Sequence, residues 1–195
     1  MPDLPEVADG ELLARAATGD VVAFDQFVER HRAQVFRYAM GLARHHADAE
    51  DVLQQTFVQA WRAAAGARVE GTARPWLFAI ARHALQRSRR RPAEVAGDPV
   101  SLDTLGGDAG FADPTATPQR FAMAMEERHV LTAALQQLAE PDREVLLLRE
   151  IEELSGEDTA RVLGLSLEAM KSRLHRARLR LVAEVRRRLP EGGLP

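Results

Sequence analysis

The chain has 195 residues, 46% of them hydrophobic, which is enough for one folded core or two small ones. It contains no cysteine, so disulfide frameworks, thiolate metal sites and cysteine nucleophiles are excluded, in keeping with a reducing compartment. The formal charge is only −3, but it is unevenly placed: Arg82, Arg87, Arg89, Arg90 and Arg91 form one basic block, and Lys171 to Arg188 form another interrupted only by Glu184. Residues 92–119 between them carry acids and no lysine or arginine. Two basic blocks around an acidic spacer suggest two contacts with one polyanion. The plainer alternative is a pair of solvated helix ends that complement the macrodipole.

The N-terminal stretch MPDLPEVADGELL is acidic and lacks the basic-then-apolar order of a signal peptide. No apolar run approaches the roughly 18 residues that span a bilayer. The expectation is a soluble, cytoplasmic protein with an acidic tail over residues 1–10.

Apolar residues then recur at helical steps, and no stretch alternates as a strand, so the expected class is all-α. Phe24, Phe27, Val28, His31, Val35, Tyr38, Ala39 and Leu42 fall three and four apart, as do Ala49, Val52, Leu53, Phe57 and Ala60. These predict two amphipathic helices joined near RHHAD, with His31 a core histidine on its apolar stripe. A third helix opens at Thr72 as N-cap, tolerates Pro75 in its first turn, buries Leu77, Ile80, Ala81 and Ala84, and stops at Pro92. The first domain is thus expected over residues 11–91.

Residues 92–122 hold Pro92, Pro99, Pro114, Pro118 and the pair Gly106–Gly107 without periodicity. A structureless stretch of that length belongs between domains, so it is expected to be a flexible linker. Periodicity returns in MAMEERHVLTAALQQL and PDREVLLLREIEE, giving a second small helical domain over 123–189 and a tail over 190–195.

The stretch LSGEDTARVLGLSLEAMKSRLHRARLRL predicts a helix-turn-helix. Ser155 with Asp158 three residues on is a capping-box pattern, Gly164 supplies the turn, Ser166 is a second N-cap, and small Ala160 allows close approach. Leu167, Met170, Leu174, Ala177 and Leu181 form the seam to be buried. At 100 degrees per residue, Glu168, Ser172, His175 and Arg176 then point outward, with Lys171, Arg173, Arg178 and Arg180 on the flanks. Such a helix suits a DNA major groove: the outward set reaches base edges, and the basic flanks reach phosphates. The competing possibility is an ordinary helical hairpin with a solvated basic face.

With these motifs in view, the chain resembles the extracytoplasmic-function (ECF) sigma factors, the small two-domain promoter-specificity subunits of bacterial RNA polymerase. GDVVAFDQFVERH, DAEDVLQQTFVQAW, RPWLFAIARH and the helix-turn-helix stretch look like successive family motifs in family order, from about Glu11 to Leu189. The resemblance implies that residues 11–91 correspond to sigma region 2, which binds core polymerase and opens the minus 10 element. It implies that 123–189 correspond to region 4, which reads the minus 35 element through Glu168, Lys171, Ser172, Arg173, His175, Arg176 and Arg178. Core RNA polymerase, promoter DNA and an anti-sigma factor are the implied partners.

In DAEDVLQQTFVQAW the apolar seam leaves Asp48, Asp51, Gln54, Gln55 and Val58 outward, and an exposed valine among acids and amides suits a protein interface. The resemblance makes this the core polymerase contact. On the third helix Trp76, His83, Gln86 and Arg90 lie away from the core face with Arg82 and Arg87 alongside. Arginines there can track the phosphates of a separated strand and an aromatic can stack a base, although Trp76 also fits as core packing. The resemblance makes this face, with the preceding loop AGARVEGTA, the minus 10 site. Two positions depart from the family's habit: Gly156, often aromatic, and His83, often asparagine.

A self-contained helix-turn-helix regulator explains the second half equally well but leaves the Asp48 to Trp61 helix without a role. An enzyme is not expected. His45, His46 and Asp48 lack a matching second ligand pair, adjacent histidines diverge on a helix, and no glycine-rich phosphate loop or nucleophile motif is present, so neither metal nor cofactor is expected.

Overall fold

The computed structural model describes residues 7–43, 45–67, 69, 72–89 and 129–188. The expected linker over 92–122, Arg90, Arg91, most of the expected N-terminal tail, the C-terminal tail and parts of the AGARVEGTA loop lie outside the described residues. Within them the chain is helical, with no strand.

The first domain contains α1 (Asp9–Ala17), α2 (Val21–Leu42), α3 (His46–Ala63) and α4 (Arg74–Ser88), with a short 3-10 turn at Ala64–Gly66. The first helix begins at Asp9, two residues before the expected start of the domain. Asp20 caps α2, its carboxylate accepting from the Ala23 N–H at 3.0 Å while Arg15 grips the same side chain. The apolar stripes point inward as their spacing requires: Phe24, Phe27, Val35, Tyr38, Ala39, Leu42, Ala49, Val52, Phe57 and Ala60 are buried, with Val28 and Leu53 half-buried. His31 is buried as well, 3.0 Å from the Asp9 carboxylate and against the Phe27 ring.

Helix α4 differs from expectation at its start. Its N-cap is Ala73, one residue after Thr72, and no side chain within the cap accepts its N–H groups. The Thr72 hydroxyl accepts only from the Arg74 N–H, at 3.3 Å. Asp9 supplies the missing acceptor from across the domain, bonding the Ala73 N–H at 2.8 Å. A helix start is electropositive, so a buried carboxylate is stabilised there. Leu77, Ala81 and Ala84 face the core; Ile80 is half-buried, and Phe78 and Leu85 are buried beside them.

The second domain contains α5 (residues 129–137), α6 (Glu140–Leu146), α7 (Gly156–Leu163) and α8 (Leu167–Arg188). A π-helical turn, Leu147–Ile151, follows α6, with the Glu152 N–H bonded to the Leu147 carbonyl, and Glu153 takes a left-handed φ of 52°. The two domains pack against each other. Helix α6 and its π turn lie on α2, and α7 lies on α4, so the buried apolar residues of both halves form one continuous core. At the junction Gly41 admits Leu147, whose Cδ1 sits 2.6 Å from where a Cβ would be.

Candidate functional site

Helix α8 is oriented by its caps and its seam. The Ser155 hydroxyl accepts from the Asp158 N–H at 3.0 Å and donates to the Asp158 carboxylate at 2.7 Å, so the return bond of the box goes to the hydroxyl and not to the backbone. Gly164 then turns the chain with φ 66°, a left-handed conformation that glycine adopts without strain, and Ser166 accepts from the Ala169 N–H at 3.2 Å. Met170, Leu174 and Ala177 are buried and Leu167 and Leu181 half-buried, as the seam requires. Gly156 packs beneath this seam, with Leu167 and Met170 each 3.4 Å from its would-be Cβ, so these side chains fill the space a larger residue would take.

The opposite face of α8 is open. Glu168, Lys171, Ser172, His175, Arg176 and Arg178 are exposed and Arg173 is half-buried. Their availability differs. Arg178 is bonded to Glu150 at 2.5 and 3.1 Å, and Arg180 pairs with the buried Asp142. Among the described residues no carboxylate pairs with Lys171, Arg173, His175 or Arg176. Cations so placed are open to an outside anion, and any contact they made with a polyanion would be salt-sensitive.

On α4, His83 and Arg87 are exposed, Arg82 and Gln86 are half-buried, and Arg90 lies outside the described residues. Trp76 is half-buried and packs against the core. Arg82 is not free: its Nε donates to the Glu144 carboxylate of the second domain at 3.0 Å. Arg89 bonds the Leu42 carbonyl at 2.7 Å and pairs with Glu140.

Along α3, Asp51, Gln54, Gln55 and Val58 are exposed and Asp48 is half-buried. Beside them an open groove of about 640 Å³ runs between α2 and α3. Its floor and walls are Phe24, Val28, Leu53, Phe57, Val58 and Trp61, and its rim carries Glu29, Arg32, Glu50 and Arg62. Val58 and Trp61 remain more than a third exposed, and the Trp61 ring meets Phe24 edge-on at 4.9 Å. Apolar floor and charged rim together are the anatomy of a protein-binding surface. Trp61 was not singled out from sequence, although it continues the Gln54–Val58 stripe at helical spacing and so carried the signal.

His45 is half-buried, and His46 lies 3.5 Å from Glu50 with its ring against Phe36. Among the described residues no group of three His, Cys, Asp or Glu side chains converges on a metal-sized site. Nor is any described helix long and apolar enough to cross a membrane.

Comparison with known proteins places both halves. The family model for Sigma-70 region 2 matches residues 27–94, and that for Sigma-70, region 4 matches residues 128–181. The chain is 34% identical over 181 residues to the RNA polymerase sigma factor CnrH of Cupriavidus metallidurans, covering 92% of this chain and 95% of the relative. It is 34% identical over 177 residues to the ECF RNA polymerase sigma factor SigM of Mycobacterium tuberculosis, covering 90% and 84%. The solved structure of CnrH in complex with the cytosolic domain of CnrY matches with a TM-score of 0.67 at 30% identity, over 94% of this chain and 100% of that one.

Proposed function

The chain belongs to the sigma-70 family as an ECF-type RNA polymerase sigma factor that directs promoter-specific transcription initiation, and from this we propose how its surfaces divide that work. The first domain, 11–91, docks on core polymerase through Asp48, Asp51, Gln54, Gln55 and Val58, with the neighbouring Trp61 groove taking apolar side chains of the polymerase. Its α4 face, with Arg82, His83, Gln86 and Arg87, holds the separated strand of the minus 10 element, and Arg90, next along the sequence, joins in that contact. Trp76, packed as it is on the core, supports that face from behind.

The second domain, 123–189, inserts α8 in the major groove at minus 35. Ser172, His175 and Arg176 reach base edges beside Glu168, while Lys171 and Arg173 track phosphates and Arg178 joins them by exchanging Glu150 for the backbone. The residues 92–122 connect the two sites. We assign no catalytic group to the chain: phosphodiester chemistry belongs to the polymerase it directs. The relative CnrH was solved with the cytosolic domain of CnrY, and by analogy this chain is held inactive by an anti-sigma partner in the cytoplasm.

The observation that carries the proposal is the pairing of an apolar groove with a charged rim on one domain with a basic helix face on the other, on which Lys171, Arg173 and Arg176 pair with no carboxylate among the described residues. The match of region 2 to the first half disfavours a self-contained regulator, because that half is then not an effector domain. A photo-crosslinking residue at Gln54 should capture the large polymerase subunits, and one at Ser172 should capture promoter DNA. Capture of DNA from Gln54, or of polymerase alone from Ser172, would refute the division.

A further inference from the structure

Asp9 sits where three helices of the first domain meet. It is the first residue of α1, is 6% exposed, and divides its carboxylate between the other two. Oδ2 accepts from the Ala73 N–H at the start of α4, at 2.8 Å. Oδ1 accepts from Arg30 of α2 at 2.7 Å and lies 3.0 Å from the His31 Nε2. Arg30 also donates to the Val7 carbonyl at 2.8 Å, which ties the chain entering α1 to α2. One side chain thus fixes the start of α4 to the middle of α2.

Helix α1 meets the approach to α4 at two further places. The 3-10 turn Ala64–Gly66 lies on it, and the Val69 carbonyl comes so near Gly10 that a Cβ there would stand 3.0 Å away. Val69 and Ala67 are themselves half-buried against the core, beside Val7. The described parts of the connection from α3 to α4 therefore rest on one end of α1.

Docking α1 does not require this arrangement. Leu12, Leu13 and Ala16 already bury an apolar stripe in the core, and a carboxylate desolvated among charged partners adds little net stability. What such a network supplies is position: a recognition surface works only when supporting hydrogen bonds hold it to within about 0.5 Å. Trp76 lies within one turn of the Ala73 cap, whereas Gln86 stands more than three turns further along α4. A change at the cap acts first on the connection and the first turn, and least on the far end.

We propose that α1 is part of the minus 10 reading unit, with Asp9 a positioning residue that fixes the exit of the connection and the first turn of α4, and so sets base preference at that end of the element. Both α1 and Asp9 precede residues 27–94, the stretch matched by the Sigma-70 region 2 model, so the reading unit extends beyond it. This rests on the assignment of the α4 face to the minus 10 strand.

The test uses core polymerase carrying the full chain and a fluorescent single-stranded oligonucleotide, the non-template minus 10 sequence of a promoter mapped from its transcript start. The quantity read is the ratio of Kd between an oligonucleotide altered at one base and the unaltered one. Both are measured on one preparation, so a smaller folded fraction cancels from the ratio. A mismatch in a specific site is worth about 5- to 150-fold, and Asp9→Ala should lower that ratio by about fivefold or more at one position. Minus 35 preference, read in transcription, should stay as it is. Gly10→Ala removes no hydrogen-bonding group and replaces a helical glycine with a better helix former. It should relax the same position to a smaller extent, because the Val69 carbonyl need give only a few tenths of an ångström. Gln86→Ala, further along α4, should relax a different position.

Preference unchanged in both α1 variants, while Gln86→Ala changes it, would overturn the positioning role. Equal relaxation at every position, minus 35 included, would overturn it too and leave Asp9 a stabilising residue only. If Asp9→Ala does not fold, Gly10→Ala decides by the same criteria. Preference unchanged in all of these variants would overturn the assignment of the α4 face, and this proposal with it.

Discussion

Arg176→Ala and Lys171→Ala should differ in kind. Both side chains are exposed on α8 and neither pairs with a carboxylate among the described residues, so neither truncation should change stability by more than about 0.5 kcal/mol. Arg176 is exposed on the side of α8 away from the buried Met170–Leu174–Ala177 seam, and on the proposed docking its guanidinium reaches a base edge. A bidentate base contact is worth about 1–3 kcal/mol, so Arg176→Ala should lower transcription roughly 5- to 150-fold and flatten the preference at one minus 35 position. Lys171, on the flank, should weaken all sequences alike and reduce the salt slope by about one. The assay is holoenzyme transcription from promoters altered one base pair at a time, repeated over a salt series. Uniform weakening by Arg176→Ala, with discrimination intact at every position, would refute its placement at a base edge.

Asp51→Arg should weaken association with core polymerase by about tenfold or more while leaving the fold intact, since Asp51 is exposed; undiminished binding in a polymerase titration would remove this face from the contact. Met170, 1% exposed on the buried face of α8, should cost about 2–5 kcal/mol on truncation to alanine, read as a lower urea midpoint with unchanged slope. Asp9 gives a pH prediction. Burial alone would raise its carboxyl, but the Ala73 N–H, Arg30 and His31 together hold it below the ordinary value. A depressed acid contributes stability that is present above the ordinary carboxylate range, about pH 4, and is lost as pH falls through its lower native value. Asp9→Asn should therefore cost about 1.5–3 kcal/mol at pH 7 and flatten this acid limb; an equally steep acid limb in the variant would refute it.

Helices α2 and α3 were legible because their stripes are local: Phe24 to Leu42 and Ala49 to Ala60 repeat at the period of the helix itself, whereas the short α1, Asp9–Ala17, was not read from the chain. The same holds for Ser155, Gly164 and Ser166, whose capping and turning roles depend on neighbours within a few residues. What escaped was long-range. Asp9 caps α4 from 64 residues away, which moved the helix start past Thr72, and no local pattern announces such a partner. Glu144 and Glu152 sit in PDREVLLLREIEE, where acids at helical spacing look solvated; only the π turn and the facing arginines turn them inward. On α4, Arg82 was placed on the expected face, but its engagement with Glu144 could not be read from the chain.

The most direct test of the account is transcription itself. The purified protein, mixed with bacterial core RNA polymerase and fragmented genomic DNA, should yield discrete transcripts that core alone does not, with two shared upstream elements near minus 10 and minus 35. Discrete starts that share only one element would contradict the division of labour between the domains. No discrete starts with a matched core, while the protein alone retains specific duplex fragments, would contradict the account as a whole.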